Sequence, residues 1–262
     1  MQRSLLKHLV AVAATFLVSG VALAEPLVVA SSGGFAAAYK ELVSQWQRDP
    51  AHEVRSVWGP SMGQTANAIP QRLARSEAID VVIMVGDALD KLMASGQLVP
   101  GSKVVLADST IACAVPHGDP HPDIRTVAGL KAALLAARSV AWSDSASGEY
   151  IEREMLDKLG VADQVRPKGH KIPATPVGEI VARHEADFGC QQRSELLPVK
   201  GIDIVGDLPQ EVQYVTPFSA AIVSTSAHKD EARRFLQFLS APQSAGVIRD
   251  SGLVPKANTT AR

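Results

Sequence analysis

Three turns rich in serine and glycine carry the groups with which this sequence could bind a ligand. They are residues 31–34 (Ser-Ser-Gly-Gly), 59–65 (Gly-Pro-Ser-Met-Gly-Gln-Thr) and 143–148 (Ser-Asp-Ser-Ala-Ser-Gly). Each follows a short apolar run and precedes apolar residues at helical spacing. The start of a helix leaves backbone N–H groups free and has a partial positive charge. The pattern therefore predicts an anion site built from hydroxyls and backbone N–H groups, without a charged side chain.

The elements around these turns indicate an α/β fold. Residues 28–30 are a short β-branched strand, and residues 35–46 place apolar side chains on one face of a helix. Residues 79–85 form a continuous apolar run, which is typical of a strand buried on both faces of a parallel sheet. A second series of strand–turn–helix units begins at Thr110. Doubly wound sheets of this kind bind ligands at the carboxyl ends of their strands.

Further segments give expectations that a structure can check. Apolar residues from Met62 to Leu73 keep helical spacing, so we expect a helix that Pro70 kinks or interrupts. Residues 212–216 and 220–224 are expected to form strands. Cys113 and Cys190 lie in apolar runs, and the sequence is compatible with either a disulfide or two buried thiols.

The N-terminus has the features of a secretory signal peptide. A basic start at Arg3 and Lys7 is followed by an apolar run over residues 9–18 and by Ala22-Leu23-Ala24. The run is too short for a membrane span of about 20 residues. We therefore expect cleavage after Ala24 and a protein of the periplasm. The full chain carries 26 Lys and Arg against 27 Asp and Glu, a balance that disfavours nucleic acid as a partner.

The order of these motifs resembles the type II periplasmic binding proteins, and most closely the molybdate-binding proteins of bacterial uptake transporters. The resemblance rests on the serine turns, on residues 79–98, on Ser-Gly-Glu-Tyr at 147–150 and on the tail at 232–253. It implies two doubly wound α/β lobes joined by a two-crossover hinge, with the ligand cleft between them. The first lobe would comprise residues 26–108 plus 216–262, and the second residues 109–215.

The resemblance also implies a set of ligand-binding residues. They are Ser31, Ser32, Gly34, Phe35, Ser61, Met62, Ser147, Val177, Gln191 and Gln192. The implied protein is a monomer without cofactor, metal ion or catalytic residue. It would deliver a small anion, molybdate or tungstate, to the membrane permease of an ABC importer.

Two features of the sequence depart from that family. Gly33 and Gly34 stand where the family tends to have Ala-Ser, and Gln192, or Gln191, stands at the position of a tyrosine. These differences remove bulk and add amide groups, which suits a larger ligand such as a di- or tricarboxylic acid. The sequence leaves the oxyanion and the organic acid both open.

A serine hydrolase is the first enzymatic alternative. Residues 59–63 match the G-x-S-x-G motif around Ser61, and Asp207 and His228 follow in the order that a hydrolase requires. However, the motif comes early in the chain, and a hydrolase would leave the other two serine turns without a role. We therefore disfavour this alternative.

A dehydratase on the same fold, or a metal site, is also conceivable. A dehydratase needs an acid over its substrate, and among the residues that flank the turns only Asp144 and Glu179 could provide it. His117 and His121 have the spacing of metal ligands on a helix, but Gly118 and Pro120 between them prevent a helix. We expect a binding protein rather than an enzyme.

Overall fold

The computed structural model describes residues 25–173 and 175–256, and the expected signal peptide at residues 1–24 lies outside them. The strands are β1 (Leu27–Ser31), β2 (Val54–Trp58), β3 (Val81–Val85), β4 (Val104–Ser109), β5 (Ile111–Pro116), β6 (Val140–Ser143), β7 (Gly169–Ile172), β8 (Phe188–Gln192), β9 (Ile202–Asp207), β10 (Thr216–Ile222) and β11 (Val254–Pro255). The helices are α1 (Ala36–Trp46), α2 (Ile69–Ala74), α3 (Gly86–Ala94), α4 (Val127–Ala136), α5 (Ala146–Tyr150), α6 (Leu156–Lys158), α7 (Ala162–Val165), α8 (Val177–Ala182), α9 (Arg193–Leu196), α10 (Lys229–Leu239) and α11 (Ala245–Asp250). None of these helices is both long and apolar enough to cross a membrane.

The first sheet has six strands in the order β11-β4-β10-β3-β1-β2. β1 pairs in parallel with β2 on one side and with β3 on the other. The carboxyl ends of these three strands, at Ser31, Trp58 and Val85, therefore meet at one edge of the sheet. Both faces of the sheet are covered, and the core that packs on it includes Tyr39 of α1 and Phe235 of α10.

The second sheet has five strands in the order β7-β6-β8-β5-β9. β6 pairs in parallel with β7 and β8, so Ser143, Ile172 and the end of β8 at Gln192 lie at one edge. The chain enters this sheet between β4 and β5, at Thr110, and leaves it between β9 and β10. The expected fold of a type II periplasmic binding protein is confirmed. Lobe boundaries after Asp108 and Val215 stay a prediction.

Two expected elements were wrong. The segment at residues 61–68 forms turns, and α2 begins only at Ile69, with Pro70 in its first turn, where the missing N–H leaves no hydrogen bond unmade. Residues 213–215 are irregular rather than a strand. There the Gln213 side chain bonds to both the N–H and the C=O of Ile111, at 2.8 and 3.0 Å.

Cys113 and Cys190 form a disulfide, which settles the alternative that the sequence left open. The two residues face each other in the antiparallel pair of β5 and β8, with their Cα atoms 4.1 Å apart. Cys190 immediately precedes Gln191 and Gln192. The disulfide therefore ties the strand that carries both amides to the middle of the second sheet.

Replacing both cysteines by alanine should destabilise the protein without unfolding it. The disulfide closes a segment with a sequence separation of 77 residues. Loop entropy alone would contribute about 4.5 kcal/mol for a segment of this size, and typical disulfides contribute about 2–4 kcal/mol to the free energy of unfolding. Urea unfolding of the Cys113→Ala/Cys190→Ala variant should show this loss. Dithiothreitol should lower the midpoint of the wild type alone; equal midpoints for wild type and variant would contradict the prediction.

Candidate functional site

A cavity of about 270 Å³ lies between the two sheets. One wall is formed by the ends of β1, β2 and β3 and the turns that follow them, including Ser31, Trp58 and Ser61. The opposite wall comes from the turn after β6 and from the end of β8. The carboxyl ends of the parallel strands of both sheets thus face one space, as doubly wound sheets require of a ligand site.

Most of the ligand-binding residues expected from the sequence line this cavity. They are Ser31, Ser32, Gly34, Ser61, Met62, Gln191 and Gln192. Three others do not line it. Phe35 is buried in the core of the first sheet, the buried Ser147 hydroxyl lies 3.2 Å from Ser143 Oγ, and the Val177 N–H donates to Gln191 Oε1. Contacts between any of these residues and a ligand stay predictions.

The hydroxyls of the first two turns are available to a ligand. Ser61 Oγ accepts a hydrogen bond from the Val85 N–H at 2.9 Å, so its own proton is left to donate. Ser32 is 4% exposed, and its Oγ has no hydrogen-bond partner among the described residues. Buried hydroxyls are nearly always paired, so an unpaired one on a cavity wall is expected to bind a ligand or a water molecule.

Two helices begin at the cavity. A 3₁₀ turn at Gly33–Phe35 runs directly into α1. α5 continues through a π-helical turn at Ile151–Met155 into α6, so the two form one helix over residues 146–158. Their first turns supply free N–H groups and partial positive charge. No lysine, arginine or histidine is found among the described residues that line the cavity.

The carboxyl group of Glu195 is the feature that the sequence analysis missed. Glu195 lies in α9, directly after β8, and it lines the cavity. Gln191 Nε2 donates a hydrogen bond to its Oε2. Removal from water disfavours the charged carboxylate and raises the pKa of Glu195 to about 7. A group with such a pKa can both take up and release a proton at neutral pH.

The carboxylates that the sequence analysis did name have different places. Asp144 lines the cavity, whereas Glu179 is exposed on α8 and lines a neighbouring depression of about 410 Å³. Glu195 and Pro176 border both spaces. A signal for Glu195 was available, because it lies three residues beyond Gln192, within the first turn after the strand.

The glycines of the first turn are explained by close neighbours. A Cβ atom on Gly34 would lie 2.2 Å from the ring of Phe218, so no larger residue fits. A Cβ atom on Gly33 would lie 3.3 Å from Glu195 Oε1. The glycine pair, at which this chain departs from the molybdate-binding pattern, therefore leaves room for Phe218 and Glu195. At the other departure, Gln192 or Gln191, the Gln191 amide donates to Glu195.

Two buried or cross-sheet hydrogen bonds fix α9 against the first sheet. Ser194 Oγ donates to the Gly34 carbonyl at 2.7 Å, and Gln192 Nε2 donates to Thr216 Oγ1 at 2.9 Å. Since Gln192 and Ser194 lie within three residues before Glu195, these bonds hold its carboxyl beside the first serine turn. Glu195 thus follows a strand of the second sheet in sequence, whereas its carboxyl group lies beside the first serine turn.

The residues of the hydrolase alternative do not assemble. Asp207 pairs with Arg193 at 3.0 Å, and His228 Nδ1 lies 3.3 Å from Asp80. Neither Asp207 nor His228 lines the cavity with Ser61. A nucleophilic serine needs a base within hydrogen-bond reach. Among the described residues, neither Asp207 nor His228 supplies such a base to Ser61.

The histidines of the metal alternative share one partner. His117 Nδ1 and His121 Nε2 lie 2.9 and 3.0 Å from the two carboxylate oxygens of Asp203. The hydrogen bond and the charge of Asp203 raise the pKa of His117. In the part of the chain that the structure describes, no three His, Cys, Asp or Glu side chains are arranged to hold a metal ion.

Residues 27–254 match the family of bacterial extracellular solute-binding proteins, and the chain belongs to this family. The resemblance to the molybdate-binding proteins is confirmed as well. The chain is 28% identical to the molybdate-binding protein ModA of Rhodobacter capsulatus over 248 residues, which are 91% of this chain and 93% of the relative. The periplasmic molybdate-binding protein of Azotobacter vinelandii superposes with a TM-score of 0.71 at 20% identity, covering 87% of this chain and 98% of that one.

A more similar relative is named an enzyme. Aconitate isomerase of a Pseudomonas species is 47% identical over 229 residues, 87% of each chain. The expectation that this chain is not an enzyme is therefore wrong. That expectation rested on the serine turns and the missing cations, which describe how an anion is held. They say nothing about a carboxyl group that the fold adds to the same cavity.

Removing the Ser32 hydroxyl should weaken ligand binding without weakening the fold. The Oγ atom makes no hydrogen bond within the described residues, so Ser32→Ala breaks no internal bond. A lost hydrogen bond to a charged ligand corresponds to about 1.5–3 kcal/mol, or roughly 10- to 150-fold in affinity. Calorimetry with molybdate and with a tricarboxylate such as citrate measures the change for both ligand classes.

Ser219→Ala is the matched control for Ser32→Ala. Ser219 on β10 is also buried with an unpartnered Oγ, and it lies outside the cavity lining. We expect both variants to keep the melting temperature of the wild type and only Ser32→Ala to lose affinity. Equal affinities for the two variants would remove Ser32 from the site.

Proposed function

We propose that this protein is a secreted isomerase of the solute-binding protein family and that it interconverts the cis and trans forms of aconitate in the cavity. The observation that carries the proposal is the Glu195 carboxyl, which lines the cavity with a pKa of about 7. Support for the substrate class comes from the 47% identical relative named aconitate isomerase. The size of the cavity, about 270 Å³, lies near the lower end of the range for organic ligands.

The reaction needs only a proton to move. Aconitate is propene-1,2,3-tricarboxylate, with a double bond next to a methylene group. Ionised Glu195 takes one methylene proton, and the C–H electron pair spreads over the three-carbon unit and the carboxylates. The now neutral Glu195 returns the proton to the other terminal carbon, so the double bond shifts and aconitate forms again. Rotation of the substrate's arms before the shift decides whether the product is cis or trans.

The remaining cavity groups stabilise the negative charge. During the proton transfer, charge grows on the carboxylate oxygens of the substrate. The Ser61 hydroxyl, bonded to the Val85 N–H, and the free N–H groups of the two helix starts are donors oriented before the reaction begins, and the unpaired Ser32 hydroxyl is a further donor. Preoriented donors in a site shielded from water are the strongest means of stabilising such a charge.

The choice between the two ligand classes left open by the sequence follows from this chemistry. A titrating carboxyl beside the ligand is useful for a carbon acid, whereas an oxyanion that is only bound offers it no proton to transfer. We therefore propose the tricarboxylate as the ligand. Secretion to the periplasm by a signal peptide cleaved after Ala24 is part of the proposal, and the family relatives are extracellular or periplasmic proteins. Delivery to an ABC permease and the monomeric state stay predictions.

Proton NMR of the purified protein with trans-aconitate in D₂O tests the reaction. The wild type should produce cis-aconitate, and deuterium should enter the methylene carbon to the extent that the Glu195 proton exchanges with solvent before it is returned. Glu195→Gln cannot accept a proton, so kcat should fall about 10²- to 10⁴-fold. Its affinity, followed by the fluorescence of Trp58 on the cavity wall, should change little. Glu211→Gln, an exposed glutamate outside the lining, is the control.

Several outcomes would overturn this proposal. Wild-type protein that binds molybdate tightly and converts neither aconitate isomer is a binding protein for an oxyanion. Loss of turnover in Asp144→Asn but not in Glu195→Gln would move the proton transfer to Asp144, the other carboxyl among the described lining residues.

The pH dependence supplies a separate check on Glu195. As a base it must be ionised, so kcat/KM should fall as the pH drops below about 7. Because the folded-state pKa is raised, the folded protein binds more protons than the unfolded chain, and the Glu195 contribution to stability falls as the pH rises from about 4.5 to 7. The Glu195→Gln variant has no titrating carboxyl at this position. Its free energy of unfolding, relative to that of the wild type, should therefore increase as the pH rises through the same range.

A further inference from the structure

We propose that Gln191 is the positioning residue of this site: its amide holds Glu195 by Oε2 and leaves Oε1 as the atom that carries the proton. This inference rests on the proposed function. It names the atom through which the proton passes and the residue that selects it.

The orientation of the Gln191 amide follows from its neighbours. The Val177 N–H can only donate, and it lies 2.8 Å from Gln191 Oε1. The NH₂ group is therefore at the other end of the amide and donates to Glu195 Oε2. Gln191 is 3% exposed, so the surrounding side chains keep both bonds in place.

This orientation separates the two oxygens of Glu195. Oε2 accepts a hydrogen bond from the Gln191 amide. A proton bound to Oε2 on the side that faces Gln191 would point at the hydrogen of that N–H group, which is unfavourable. A proton on the carboxyl group therefore sits on Oε1. Oε1 is also the oxygen nearer to the first serine turn: a Cβ on Gly33 would lie 3.3 Å from it and 3.6 Å from Oε2. Glycine at this position leaves room beside the proton-bearing oxygen.

The same hydrogen bond opposes the effect of burial. Burial raises the pKa of Glu195, whereas a hydrogen-bond donor to a carboxylate favours the ionised form and so acts to lower the pKa. Asp144, Glu179, Arg183 and Lys200 are the other charged groups that line the two spaces bordered by Glu195. All four remain in a Gln191 variant, so a change in titration reports the amide itself.

Gln191→Met tests the inference, because methionine has a similar length and no N–H donor. We expect the acid limb of kcat/KM to move up from about pH 7 by roughly one to two pH units. The carbon-13 signal of the Glu195 carboxyl in unliganded protein should titrate with the same upward shift. Gln164→Met, at an exposed glutamine of α7 that lines neither space, should leave both unchanged.

Gln191→Glu covers the case in which the methionine variant does not fold. One carboxylate oxygen can still accept the Val177 N–H, so the packing is kept, and the other faces Glu195 Oε2. When two carboxyl groups share one proton, the loss of that last proton has a raised apparent pKa, so this variant should also shift the limb upward. An equal loss of rate at every pH, with the titration of Glu195 unmoved, would show a merely structural role and overturn the inference.

Failure of the proposed function is distinguishable from failure of this inference. If the wild type does not isomerise aconitate, the proposed function is wrong, and the carbon-13 titration still decides whether Gln191 controls Glu195. If the wild type isomerises aconitate and the Gln191→Met titration matches the wild type, only the inference is wrong.

Discussion

The structure depends on one constraint, namely that the chain crosses between its two sheets twice. The crossings at Thr110 and between β9 and β10 turn the carboxyl ends of the parallel strands of both sheets toward one space. Each of those ends leads into a helix, either directly or through a turn, so backbone N–H groups and hydroxyls from distant parts of the sequence meet there. The hydrogen-bond donors of the cavity follow from this arrangement.

The cavity combines two requirements that conflict. An anionic ligand needs donors and positive potential, which the helix starts and the serines provide. Proton transfer needs a base, and a base that is permanently charged would repel the ligand. Burial of Glu195 resolves the conflict, because a pKa of about 7 keeps the carboxyl neutral for part of the time at physiological pH. The missing cations are then an advantage, since a lysine or arginine in contact with Glu195 would hold it ionised.

In the proposed function, Glu195 lets one fold serve both binding and catalysis. The scaffold of a solute-binding protein already encloses a small anion between two walls, with donors that are oriented in advance. Adding one carboxyl with a raised pKa, held by Gln191 and accommodated by Gly33, introduces acid–base chemistry without new elements. Function therefore lies in a few side chains on a common frame, and the frame alone does not decide it.

The sequence by itself determined the fold and most of the cavity wall. The period of the apolar residues specified the strands and helices, and the serine turns at strand ends placed Ser31, Ser32 and Ser61 in the cavity because parallel strands share an edge. The sequence did not predict the start of α2 correctly, because Pro70 opens a helix as readily as it breaks one. It also did not predict the irregular segment at Gln213, because this residue bonds to one about a hundred positions away. Only the tertiary structure decided the pairing of Cys113 with Cys190 and the position and raised pKa of Glu195. The reason is physical: a disulfide depends on the register of two distant strands, and a pKa depends on desolvation by neighbours that come from both sheets.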